Sequence, residues 1–228
     1  MLFDRRLFLA AGAAALLAGC TQTGLLFRNA TPGSGLLVPD TDEPFRVAPV
    51  DLSRIPPQYR RQFVADPTGE PPGTIVVDPD ARFLYLVMKD GEALRYGVGV
   101  GREGFGWSGT ARIARKAKWP TWTPPVEMQQ RDPMAREYAD GMPGGPANPL
   151  GARALYLYQG GRDTLYRIHG TAEPDSIGRA VSSGCIRLLN ADVIDLYDRV
   201  PIGTRVVVRP SHGGFGGFVA QLKSSVGM

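Results

Sequence analysis

A chain of 228 residues with 43% hydrophobic residues is long enough and apolar enough to bury a core, which excludes a disordered polypeptide. Its 26 basic and 22 acidic residues give a formal net charge of +4. They are scattered along the chain, without the Lys/Arg runs of a nucleic-acid arm or a polybasic membrane patch, so no nucleic-acid partner is expected.

The first twenty residues, MLFDRRLFLAAGAAALLAGC, pair a charged start at Arg5 and Arg6 with an apolar run from Leu7 to Leu17. That pattern is an export signal, shorter than the ~20 residues of a spanning helix. Leu17-Ala18-Gly19 before Cys20 resembles the lipobox of bacterial lipoproteins, in which the cysteine is lipidated and becomes the new N-terminus, and DRRLFL resembles a twin-arginine export signal. The alternative is an ordinary signal cleaved near Ala18. Lipidation of Cys20 predicts a periplasmic, membrane-anchored protein, and Thr21 in place of an aspartate favours the outer membrane. It also leaves Cys185 as the only thiol in an oxidising compartment, either a functional group or a small buried filler.

Residues 21–72 read as a linker and N-terminal arm rich in Pro, Gly and Thr. Within it, Ile55, Tyr59, Phe63 and Val64 recur at roughly helical spacing, which suits an ordered arm as well as a solvated linker. From Gly73 the pattern turns to short period-two runs: TIVVD, RFLYLVM and ALRYGVGVG, separated by Asp78-Pro79-Asp80 and Asp90-Gly91, predict two successive hairpins. ARALYLYQ, TLYRIHG and TRVVVRP add at least three strands. One helix follows Cys185, with Asn190 as its cap, Asp192 in its first turn and an apolar stripe of Val193, Ile194, Tyr197 and Val200. The expected fold is therefore mostly β, a single sandwich or barrel-like domain over 73–210 with one or two short helices.

Between the strands lies a long irregular stretch containing Trp119 and Trp122, either a binding loop or a disordered one. Residues 211–228 form a Gly-rich flexible tail that carries the second histidine, His212.

His169 ends the strand LYRIH, and Cys185 follows Ser182-Ser183-Gly184 sixteen positions later. A thiol is mostly protonated at neutral pH, so a cysteine nucleophile needs a proton acceptor, and histidine is the usual one. Gly184 lets the backbone approach a carbonyl, and the N–H groups around Gly184 and Cys185 suit an oxyanion hole. One His and one Cys fall short of the ligands zinc requires, so no metal is expected.

IHGT followed by IGRAVSSGCIRL resembles the signature of the L,D-transpeptidase catalytic domain (the YkuD-like family): a histidine, a spacer, then Ser/Thr-His-Gly-Cys-x-Asn/Arg. The resemblance runs from Gly73 to Pro210 and includes GTIVVD, NPLGARALYLY and TRVVV. It departs at Ser183, where relatives carry a second histidine; the Ser183 hydroxyl is expected to supply a hydrogen bond in its place. The resemblance implies acyl transfer on peptidoglycan stem peptides without a cofactor. Cys185 attacks the carbonyl of the third residue, such as meso-diaminopimelate, and expels D-Ala, while His169 moves the proton. The thioester then passes to the amine of another stem, giving a 3→3 cross-link, or to a lysine of an anchored lipoprotein. Carbapenem sensitivity and insensitivity to most penicillins follow from the same resemblance. Arg187 either shapes the loop or pairs with a stem carboxylate, and Tyr158 and Trp122, with Trp119, are candidates for lining the cleft. An L,D-carboxypeptidase or amidase would share the acyl-enzyme, and a wall-binding lipoprotein without catalysis would share the fold.

Overall fold

In the computed structural model, which describes residues 36–37, 42–101, 107–182 and 184–211, the N-terminal arm is tied down before the main sheet begins. The export signal at 1–20 with Cys20, the residue Ser183 and the tail from His212 onward lie outside those residues. β1 (Leu36–Leu37) pairs antiparallel with β2 (Val50–Asp51), and between them Glu43 forms a buried ion pair with Arg153. Burial works to raise the Glu43 carboxyl, but hydrogen bonds from Arg153 and from the Trp119 indole, the latter at 2.6 Å, hold it below the usual carboxylate range.

Farther along the arm, Ile55 is buried with Ile177, Leu189 and Ala191, and Tyr59 rests against them. The helical spacing does not continue into a helix. Gln62–Ala65 is instead β3, an edge strand of the main sheet, and Phe63 on it is 61% exposed. Short β-branched and aromatic runs can satisfy either period, and pairing decided this one.

The two expected hairpins form. β4 (Ile75–Asp78) pairs antiparallel with β5 (Phe83–Val87), and β5 with β6 (Glu92–Gly97). After β7 (Val100–Gly101) comes β8 (Gly109–Lys118), a strand that the sequence hides. Its buried face is only Ala111 and Ile113, set among Arg112, Arg115, Lys116 and Lys118. The long irregular stretch holds two short helices, α1 (Val126–Arg131) and α2 (Pro133–Glu137), so the expected one or two helices are three among the described residues. Its fold is pinned by Asn148, whose Nδ2 donates to the carbonyls of Pro120, Met142 and Pro143 at 3.0–3.1 Å. β9 (Arg153–Gln159), β10 (Arg162–Thr171), β11 (Ala180–Ser182), β12 (Ile186–Leu189), α3 (Asn190–Arg199) and β13 (Arg205–Val208) complete the chain.

Nine strands form one mixed sheet in the order β12-β10-β9-β8-β13-β4-β5-β6-β3. The mostly-β expectation stands, with a correction of form: the sheet is single and not closed, so it is neither a two-sheet sandwich nor a barrel. Its ends nevertheless approach, because Gly99, just after β6, exchanges backbone hydrogen bonds with Arg187 of β12 at 2.9 and 2.8 Å. Leu94 and Tyr96 of β6 accordingly share one core with Ile186 and Leu188 of β12 and with Val193, Leu196 and Val200 of α3.

Asn190 does not cap α3. It is the first helical residue, and its Oδ1 accepts from the Ala152 N–H at 2.9 Å. Asp192 likewise faces inward, 1% exposed, rather than solvent. Arg61 of the arm reaches it: Nη1 lies 2.9 Å from Asp195 Oδ2 and 3.7 Å from Asp192 Oδ1. Asp195 is also bonded by the Tyr96 hydroxyl and by Arg199, whereas Asp192 Oδ1 has no hydrogen bond. Burial therefore pushes the Asp192 carboxyl up to about 6, against the pull of Arg61. The folded state holds that proton more tightly than the unfolded chain, so this residue's contribution falls as pH rises from about 4 to about 6. Asp192→Asn is expected to gain stability relative to the parent across that window, by on the order of 3 kcal/mol, and to keep a constant offset above it. Urea unfolding of both proteins at several pH values checks this; a constant offset from pH 4 to 7 would contradict it.

Candidate active site

Strand alternation decides which side chains meet. Ile168 and Ile186 point into the core, so His169 on β10 and Cys185 and Arg187 at β12 lie on the opposite face of the sheet. β10 and β12 run parallel with His169 beside Arg187 and Ile168 beside Ile186. Cys185 precedes that ladder and sits next to Arg167, whose backbone N–H bonds the sulfur. The histidine and the cysteine thus reach one face of two neighbouring strands.

The spacer between them is held along its length. Thr171 Oγ1 accepts from the Glu173 N–H at 3.0 Å, Ile177 is buried under the arm, and the N–H groups of Gly178 and Val100 bond Val98 and Arg179 carbonyls at 3.0 Å. Gly184 has φ of +127°, a conformation that L side chains rarely adopt, which fixes the turn into Cys185.

His169 is 4% exposed, and its Nδ1 lies 2.6 Å from the Gly170 carbonyl oxygen. A carbonyl only accepts, so Nδ1 carries the proton and Nε2 keeps its lone pair. Burial depresses the imidazole to about 4, with the charges of Arg187 and Arg167 acting in the same sense. Cys185 is partly buried, and burial pushes its thiol up, against the Arg167 N–H and the Arg167 and Arg187 charges. At neutral pH the resting site is a protonated thiol with a neutral imidazole. Such a pair can exchange a proton as the sulfur attacks an electrophile.

Of the remaining predicted residues, Arg187 stays with the pair, beside His169, and Tyr158 does not. Arg187 pairs with Glu173, Nη1 to Oε2 at 2.8 Å, and the Glu173 side chain is 73% exposed. Tyr158 is opposite Asp163, four residues along β9 from the Ala154 that pairs with His169, a strand distance of about 13 Å. Trp122 is 8% exposed, and its backbone pairs with Met142 to close the long loop. Ser183 lies outside the described residues. Sequence reading passed over Arg167 and Tyr156, which meet across β10 and β9 on the His169 face. Counting back by twos from His169 along its strand would have found Arg167.

The comparisons with known proteins give the family. The model of the L,D-transpeptidase catalytic domain matches residues 72–208, and the chain belongs to that family. A probable L,D-transpeptidase of Escherichia coli K12, YbiS, is 37% identical over 139 residues, which are 59% of this chain and 43% of the relative. The probable L,D-transpeptidase ErfK/SrfK of the same organism is 39% identical over 146 residues, again 59% and 43%. The match thus spans less than half the length of either relative. A crystal structure from Brucella melitensis, described as a probable carnitine operon oxidoreductase, is 52% identical and covers 70% of this chain and 99% of that one at a TM-score of 0.48.

Proposed function

We propose that the chain is a peptidoglycan L,D-transpeptidase that works through Cys185. The observation that carries the reading is the locked His169 tautomer, which keeps the Nε2 lone pair available on the sheet face that Cys185 shares. The Cys185 sulfur attacks the carbonyl of the third stem residue as His169 Nε2 takes the thiol proton. The carbonyl–nitrogen bond to D-Ala breaks, and the departing amine receives that proton. An acceptor amine then attacks the thioester, gives a proton to His169, and the thiol is restored. Backbone N–H groups around Gly184 and Cys185 hold the oxyanion. The acceptor is another stem, forming a 3→3 cross-link, or a lysine of an anchored lipoprotein. Export, lipidation at Cys20 and attachment to the outer membrane would place this domain beside the wall.

Incubation of the purified protein with disaccharide tetrapeptides is expected to give cross-linked dimers one D-Ala lighter than two monomers, as read by mass spectrometry. Shortened monomers without dimers would assign the chain to the hydrolytic branch, an L,D-carboxypeptidase. Unchanged substrate would overturn the reading.

A further inference from the structure

A row of side chains crosses the outer face of the sheet and ends at the thiol. Arg115 of β8 is opposite Tyr156 of β9, Tyr156 is opposite Arg167 of β10, and the Arg167 backbone touches Cys185. Both guanidinium groups stack on the same ring. The carbon of Arg115 lies 3.8 Å from the Tyr156 centroid and that of Arg167 4.5 Å from it. Their charges are used differently. Asp163 takes Arg167 in a bidentate pair, at 2.6 and 2.7 Å. Burial works to raise the Asp163 carboxyl, but the bonds from Arg167 and the Leu165 N–H, with the charges of Arg167 and Arg115, hold it below the usual range. Arg115 is exposed, and among the described residues its guanidinium has no hydrogen-bond partner or ion pair.

An aromatic platform fixes the plane of a guanidinium and leaves its edge open, and that edge matches a carboxylate in two parallel hydrogen bonds. The position suits a substrate. β8 is three strands of about 4.8 Å from β12, where Cys185 sits, and Arg115 leans back over Tyr156 of β9, so its edge is within about three extended residues of a carbonyl at Cys185. We propose that Arg115 is a specificity residue that pairs with a free carboxylate of the donor stem peptide while Cys185 engages the stem's carbonyl. Arg167 is already neutralised and serves to hold the ring. The identity of the ligand rests on the transpeptidase reading; the geometry of the subsite does not.

The test is calorimetric binding to the full chain carrying Cys185→Ala, which binds without turnover. The probes are a tetrapeptide stem with its carboxylates free and versions with one carboxylate amidated at a time, the diaminopimelate and D-Ala positions separately. One amidation is expected to weaken binding about tenfold, the effect of losing a charge-assisted pair, and to identify the carboxylate read. Adding Arg115→Gln should bring the free and amidated peptides within about twofold, and Arg115→Lys should keep part of the preference as a point charge. Arg115 is exposed, so these variants are expected to keep the parent's melting temperature. Equal binding of all peptides by the Cys185→Ala chain, or a preference that survives Arg115→Gln, would overturn the proposal. Turnover by the chain with Cys185 intact is a separate measurement: its absence alongside a preference lost in Arg115→Gln would sink the transpeptidase reading and leave the subsite standing.

Discussion

Cys185→Ala is expected to abolish acylation by a carbapenem, with no adduct in the intact mass, and His169→Gln to slow acylation by about 10²–10⁴, the usual worth of a general base. The reason is the charge state of the resting pair. Burial depresses the His169 imidazole to about 4 and pushes the Cys185 thiol up, so neither group is ionised at neutral pH. On the proposed mechanism, nucleophilic thiolate has to be made as the bond forms, and the fixed Nδ1–H bond to Gly170 leaves Nε2 able to take the proton. The parent rate is therefore expected to be flat through neutral pH and to fall on the acid side as the imidazole protonates, near about 4. Rate alone does not separate this arrangement from a preformed thiolate–imidazolium pair, because both carry the same number of protons. Ultraviolet absorbance does. The difference spectrum between parent and Cys185→Ala should show no thiolate between about pH 5 and 8 and a rise only in alkali; thiolate already present near pH 6 would refute the neutral pair.

The largest structural effect is expected from Gly170→Ala. A methyl group there would overlap the Asn190 Oδ1, and it would also crowd the Ala152 nitrogen and Val193 Cγ1, each 3.1 Å away. Asn190 cannot yield freely, because its Oδ1 holds the Ala152 N–H at the start of α3. Overpacking of this kind costs about 1–3 kcal/mol, and losing the Ala152 bond adds to it. The same residue supplies the carbonyl that orients His169, so the variant should lose acylation rate beyond its loss of folded protein. Thermal unfolding and carbapenem acylation of the folded fraction separate the two effects. The double variant Gly170→Ala with Asn190→Gly removes the overlapping atoms and is expected to recover part of the stability. Unchanged stability in the single variant would mean that the junction of β10 and α3 relaxes at no cost.

Period-two runs with clear turn residues made the hairpins around Asp78-Pro79-Asp80 and Asp90-Gly91 legible, and scarcity made His169 and Cys185 stand out. β8 was not legible, because its arginines and lysines swamp the two apolar residues that bury it. β3 was not legible because Phe63 and Val64 fit a helical stripe until β6 is present to pair with them. The site failed to show in the same way. Tyr158 and Tyr156 share a face of β9, and the bulge in β10 between Asp163 and Arg167 sets Tyr156 beside Arg167, where an unbroken ladder from Asp163 and Tyr158 would bring Ala154. Pairing between distant strands is the information that a single sequence does not carry.

The hook at Glu43 has a mechanical consequence. A domain tethered through the residues before it is pulled from one end whenever the two attachment points separate. Under the proposed anchoring, a load carried along the arm would meet the β1–β2 pairing first and the buried Glu43–Arg153 pair, clasped by Trp119, next. Breaking one partner of such a pair costs about 3–5 kcal/mol. Under that proposal, part of the tension would end in β9 through Arg153 and not in the segment between His169 and Cys185.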